Sequence, residues 1–441
     1  MVRRMTDSVR ILCPEWLICV DADNRVLQRH SVVVEGTQIT AIEPRDDAIR
    51  NHPDATVVAL DGHALMPGLV NAHTHLAMNL MRGFADDLPL MTWLNDHIWP
   101  TEARFVDRQF VADGSRLAMA ESIRGGVTCF NDMYFFPDVV AETAMAVGMR
   151  ASVGLIALDF PTVWASGPDE YLEKGLQLHQ QLIDEPLVSC LFAPHAPYTV
   201  SAEPLNRIRQ LGEDNGIGVH MHVHETAAEV QQFVEQHGVR PLSRLAELGL
   251  LNPAFCAVHV TQLTDDEIQQ VAQSGCSVLH CPESNLKLAS GIAPITALQN
   301  AGVNVAIGTD GAASNNDLDM FGEMRSAAFI AKVRSGDAAV LSATQVLRMG
   351  TINGARALGL GDVTGSIEVG KQADLVAVDF DKPELQPVFN PVSHLIYSAN
   401  RADVSHVWVA GRQLLDRGEL TALDNRELVA NAKQWADKLT S

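Results

Sequence analysis

The sequence predicts an α/β protein: a (β/α)8 barrel flanked by a small β domain assembled from both chain ends. Three observations carry this. Residues from about 67 to 363 alternate β-type apolar runs with amphipathic helical stretches, as a parallel sheet with crossover helices requires. The two ends, 1–66 and 364–441, share a different texture of short β-branched runs broken by glycine turns. A middle region of roughly 300 residues suits eight βα units. A doubly wound open sheet remains the alternative, although no G-x-G-x-x-G opens any of the helices.

Taken in order, Val32-Val33-Val34-Glu35-Gly36 and Gln38-Ile39-Thr40-Ala41-Ile42 read as a hairpin turning at the glycine. In the middle region, strands are expected at Thr128–Met133, Arg150–Ile156, Val188–Phe192, Gly218–His222, Ala257–Val260, Ser277–His280 and Asn304–Ile307. Helices are expected at Asp169–Ile183, Pro204–Asn215, Thr226–His237 and Asp265–Ser274, where apolar positions recur at helical spacing. Ser342-Ala343-Thr344-Gln345 reads as a capping box. The β texture returns at Gly365–Gly370, Ala373–Val378, Ser405–Arg412 and Gln413–Leu415.

Lys and Arg number 32 against 54 Asp and Glu, a net charge of −22. That balance opposes partners read through phosphates, so neither nucleic acid nor an anionic membrane is expected. A small neutral substrate is unaffected. Seven cysteines without a C-x-x-C pair fit reduced thiols in a cytoplasmic protein. Arg3 and Arg4 precede the apolar stretch Ile11–Val20, but Pro14 and Glu15 interrupt it, so no signal peptide is expected.

Sixteen histidines point to chemistry. Asn71-Ala72-His73-Thr74-His75 ends an apolar run, and the period of two places His73 and His75 on one face, able to reach one metal. In Val219-His220-Met221-His222-Val223-His224-Glu225, three histidines alternate onto one strand face, and Glu225 follows where the strand gives way to its loop. His259 and Asp310 end two further runs. Barrel active sites sit at such C-terminal strand ends. His73, His75, one of the 220–224 histidines and Asp310 supply three nitrogens and one oxygen, a set suited to Zn²⁺, with Fe²⁺ also compatible.

These marks, with Pro67–His75, Thr309–Asn316 and Gly365–Asp379, make the chain resemble the amidohydrolase superfamily over nearly its whole length. Within it, the chain is similar to the methylthioadenosine/S-adenosylhomocysteine deaminases. Met81-Arg82-Gly83, Pro100-Thr101-Glu102, Pro194-His195-Ala196-Pro197-Tyr198, His222-Val223-His224-Glu225-Thr226 and Ser284-Asn285-Leu286-Lys287-Leu288 carry that similarity. The resemblance implies a distorted TIM barrel with a flanking β-sandwich. It makes His222 the third histidine ligand, Glu225 the acid/base, His195 a purine contact and Glu102 a ribose contact, and leaves His220 and His224 without a role. Activated water would add to C6 of adenine, with Asp310 taking its proton, His259 orienting it and Glu225 protonating N1.

One departure bears on the substrate. Between Met145 and Leu155 the only cation is Arg150, which favours an apolar methylthio group over a charged amino-acid tail. Trp93, in the apolar loop Asp86–Phe105, is a candidate to stack on the purine. Lys174 is the only lysine between His75 and His222 and lies on an amphipathic stretch, so one metal per chain is expected rather than a lysine-bridged pair. The competing functions are a relative acting on a free base or s-triazine, which would leave Glu102 without a task, and an inactive scaffold, which the intact residue set opposes. A homo-oligomer is the expected assembly.

Overall fold

The computed structural model describes residues 9–440; Arg3 and Arg4 lie outside them. Eight parallel strands run in sequence order around one sheet. They are β1 Leu69–Thr74, β2 Val127–Asp132, β3 Arg150–Ala157, β4 Val188–Pro194, β5 Val219–Val223, β6 Phe255–His259, β7 Ser277–His280 and β8 Asn304–Ile307. Apolar β-branched runs fill both faces, as burial against barrel interior and outer helices demands. The first and last strands approach without a regular ladder. The gap is held by Asp310 N donating to His73 O (3.0 Å) and by Asn71, whose side chain accepts from Thr309 N and donates to Thr309 Oγ1. This is where the barrel is distorted.

The expected helices form at Pro168–Leu182, Ala202–Asn215, Ala227–His237 and Asp265–Ser274. Thr226 and Ser342 cap their helices with reciprocal capping boxes. One segment departs from expectation. Asp86–Phe105 is not a loop beyond residue 89: Leu90–Thr92, Trp93–Ile98 and Trp99–Phe105 form a continuous helical arm, widened to a π-helix in its middle turn. Pro100 lacks the N–H an α-helix would use there, and the wider turn just before it accommodates that loss.

Both chain ends build a nine-stranded mixed sheet. Its seam is the antiparallel pairing of Thr56–Pro67 with Leu375–Asp379. His30–Glu35 and Gln38–Pro44 form the hairpin turning at Gly36. Leu12, Val32 and Leu65 share one core with Leu375 and Trp408, so residues from both ends of the chain are buried together. The last helix, Asn425–Leu439, leaves this sheet and packs on the barrel helix Arg108–Arg124, where Trp435 Nε1 donates to Asp113 Oδ2 (3.0 Å). No helix of the described residues is long and apolar enough to cross a membrane.

Candidate metal centre and active site

The C-terminal ends of the strands bring together the residues singled out from their spacing. His73 closes β1 with His75 just beyond; His222 lies on β5; His259 ends β6; Asp310 follows β8. His73 Nε2 stands 3.4 Å and His75 Nε2 3.1 Å from Asp310 Oδ1, and His73 Nε2 stands 3.2 Å from His222 Nε2. Ligand atoms of His73, His75 and Asp310 all lie within 4.8 Å of one another, as do those of His73, His222 and His259.

This donor set fits a divalent cation. His75 Nδ1 donates to Met133 O (2.6 Å) and His222 Nδ1 donates to His195 O (2.9 Å), so both Nε2 atoms face the cluster. Against burial, contact with Asp310 raises His75 to about 9, so a cation binding there would displace its Nε2 proton. Burial lowers the basicity of His73, to about 4, and of His222, so both rings are neutral at pH 7. Burial alone would raise Asp310, yet its contacts with His73 and His75 hold it well below the carboxylate range. Ser284 Oγ donates to Asp310 Oδ2 (2.6 Å) and Gly311 N to Oδ1 (2.8 Å), fixing the carboxylate.

Glu225 is buried two residues past β5, with Ser290 Oγ donating to its Oε1 (3.3 Å). Burial and the charge of Asp310 push it up to about 8, so it is a carboxylic acid at neutral pH. The Asn285 amide nitrogen lies 3.0 Å from His259 Nδ1, and His259 Nε2 stands 3.9 Å from Glu225 Oε2. The three histidines of the second cluster separate. His220 and His222 share the inner face, but His224 does not, because its backbone turns left-handed (φ 53°) past the strand end. Its Nε2 instead accepts from Leu242 N (3.1 Å).

The centre opens into a cavity of about 510 Å³ lined by His75, His222, His259, Asp310 and Glu225 at one end. Glu102, Trp93 and His195, named from the sequence, also line it. The remaining wall is largely apolar, with Leu94, Ile98, Trp99, Phe160 and Val163, and no Lys or Arg among the described residues contributes to it. His195 Nδ1 lies 3.0 Å from Thr199 Oγ1. Tyr134 OH donates to Glu102 Oε1 (2.6 Å). Tyr134 was not among the expected site residues: it follows β2, and no sequence spacing ties it to a helix thirty residues earlier. Ser284 and Asn285 belong to a segment that the resemblance marked without assigning roles.

Three cations lie outside the cavity. Arg150 sits at the N-terminal start of β3, buried against Asp374. Lys174 pairs with Glu170 (2.7 Å) on its helix, away from the histidines. Arg82 donates to Asn316 O (2.6 Å) and pairs with Glu121, tying the loop after His75 to the segment after Asp310.

The Amidohydrolase family model matches residues 64–414. A 5-methylthioadenosine/S-adenosylhomocysteine deaminase from Teredinibacter turnerae is 48% identical over 438 residues, covering 99% of both chains. One of the same description from Saccharophagus degradans is 45% identical, covering 98% of this chain and 97% of its own. A crystal structure of an adenosine deaminase from Xanthomonas campestris with bound zinc superposes with a TM-score of 0.96 at 51% identity, covering 98% of this chain and 99% of that one. An atrazine chlorohydrolase from Arthrobacter aurescens, TM-score 0.90 at 24% identity and covering 97% and 99%, shares the fold. The chain belongs to the amidohydrolase family and, within it, to the methylthioadenosine/S-adenosylhomocysteine deaminases.

Proposed function

We propose that this chain hydrolyses the C6 amine of adenine in adenosine-type nucleosides, with 5′-methylthioadenosine, giving 5′-methylthioinosine and ammonia, as its preferred substrate. One observation carries this: a buried Glu225 shares a cavity with the histidine–aspartate cluster and with Glu102. We assign His73, His75, His222 and Asp310 as ligands of a single divalent ion, zinc before Fe²⁺. When bound, such an ion supplies the Lewis acidity that makes water nucleophilic near neutral pH.

The chain's own groups do the rest. Trp93 stacks on the purine and His195 Nε2 meets its edge. Glu102, oriented through Oε1 by Tyr134, accepts from the ribose hydroxyls. As water oxygen bonds to C6, Glu225 gives its proton to N1 and Asp310 takes the proton that the water loses. His259 holds the water's orientation. Return of protons to the amine breaks the C6–N bond: one water enters and one ammonia leaves. The apolar wall takes the methylthio group by burial, whereas a zwitterionic amino-acid tail meets no cation there among the described residues. All seven cysteines are free, consistent with a cytoplasmic enzyme.

The test is ammonia release from methylthioadenosine, S-adenosylhomocysteine, adenosine, adenine and guanine after metal loading. The nucleosides turn over, with kcat/KM for methylthioadenosine about tenfold or more above that for S-adenosylhomocysteine. Release confined to a free base would overturn the reading. Glu225→Gln keeps its metal and loses about 10²–10⁴ in kcat; near-normal turnover would remove Glu225 from its role.

A further inference from the structure

His220 has no part in the chemistry above, yet its place is unusual. It lies on β5 with His222, fully buried, four strands from β1 in the eight-strand order. Strands so far apart meet only across the barrel interior. There His220 Nε2 stands 2.8 Å from His73 Nδ1, with the two rings edge-to-face at 4.9 Å. The other ring nitrogen, Nδ1, is buried and has no hydrogen-bond partner among the described residues.

We infer that His220 is a positioning residue that fixes the tautomer and ring orientation of the metal ligand His73, from the 2.8 Å contact between their ring nitrogens across the barrel. The inference rests on the assignment of His73 as a ligand. His75 and His222 hand their Nδ1 protons to backbone carbonyl oxygens, which can only accept, so their Nε2 atoms face the centre. Of the three, only His73 has its Nδ1 against another imidazole. For His73 Nε2 to be a ligand, its Nδ1 must carry the proton and donate it, and His220 Nε2 must therefore be the acceptor. That forces the His220 proton onto Nδ1, the nitrogen without a partner. An N–H left unsatisfied in a barrel core is a cost to folding, and an apolar side chain would avoid it. The retained histidine therefore serves the centre rather than the packing. Second-layer partners of this kind orient the ligand and raise its basicity.

The test compares His220→Leu and His220→Phe, which cannot accept, with His220→Gln, whose Oε1 can take the place of Nε2. Dissociation constants for Zn²⁺ come from chelator competition, and melting temperatures from the metal-stripped proteins. The apolar variants bind Zn²⁺ about 10- to 100-fold more weakly, while their stripped forms melt at or above the parent. His220→Gln stays within about threefold of the parent, and Co²⁺ bound to it gives the parent's visible spectrum. A purely packing role predicts the reverse: lowered melting and unchanged affinity. Apolar variants that bind Zn²⁺ as tightly as the parent, or a Gln variant as weak as Leu, would overturn the inference alone. A parent that takes up no divalent metal would remove the ligand assignment and this inference together.

Discussion

Burial sets Glu102 against the task assigned to it. A carboxylate that accepts from ribose hydroxyls must be ionised, yet burial pushes this group up to about 7. The Tyr134 hydroxyl, 2.6 Å from Oε1, keeps it from rising further. Its charged form prevails above that value, so KM for nucleosides should fall as pH rises through about 7. Tyr134→Phe removes a hydrogen bond to the charged form, so Glu102 titrates higher and the KM limb moves to more alkaline pH, by roughly one unit. At each pH the variant's kcat should stay close to the parent's, both falling as Glu225 ionises through about 8, because Tyr134 touches no reacting atom. KM and kcat profiles from pH 6 to 9 measure this. A limb that stays in place after the substitution would mean that Glu102 does not govern nucleoside binding. The same phenol shows what a sequence hides: its partner is set by how the helical arm folds over β2, not by any spacing.

The elements succeed or fail as site builders at their C-terminal ends. His259 and Asp310 both adopt left-handed backbone there (φ 72° and 61°), a conformation that costs about 1–3 kcal/mol at a residue with a side chain. Their strands carry that cost because each turn aims the side chain into the mouth. The junction of β8 with β1 is tighter still. A Cβ on Gly308 would stand 2.7 Å from His73 N and 2.8 Å from His73 Cβ, and neither atom can swing away. Gly308→Ala should therefore lower stability by about 1–3 kcal/mol and weaken metal binding by moving β1. Denaturant unfolding and chelator competition report the two effects; a variant matching the parent in both would show that the junction yields. Strand alternation made β5 and its two inward histidines legible, and strand ends located Glu225, His259 and Asp310. The outward turn of His224 was not legible, since a period of two says nothing about where the strand stops. Nor was the helical arm at 90–105, where Pro and a run of large apolar residues mask helical spacing. His220 was visible as a strand residue, but its partner lies across the closed barrel, a contact that closure creates and local pattern does not carry.

At the scale of the molecule, the charge of −22 and the absence of Lys or Arg among the described residues of the cavity wall agree with a neutral substrate. Cations are used instead to join the two sheets. Arg150 opens β3 at the end of the barrel away from the site, and its guanidinium is almost wholly buried. Nε and Nη2 donate to the two oxygens of Asp374 (2.7 and 3.1 Å), and Nη2 also donates to Gln372 Oε1 (2.6 Å). Asp374 in turn accepts from Ala410 N (2.7 Å), and its carbonyl accepts from Gly68 N (2.9 Å) just before β1. One fork thus joins the barrel, the C-terminal strands and the entry to β1, which carries His73. Arg150→Met leaves the Asp374 charge buried without a cation, and should cost about 3–5 kcal/mol. Arg150→Met with Asp374→Asn removes the charge as well as its partner and should cost less than Arg150→Met alone, because an uncompensated charge is the larger penalty. Both should retain kcat/KM when assayed well below their melting temperatures, since the pair lies at the opposite end of β3 from the cavity. Thermal or denaturant unfolding with parallel kinetics measures this. A double variant no more stable than the single would mean that Arg150 acts by packing, and a lowered kcat/KM in folded protein would mean that the seam reaches the site through Gly68 and β1.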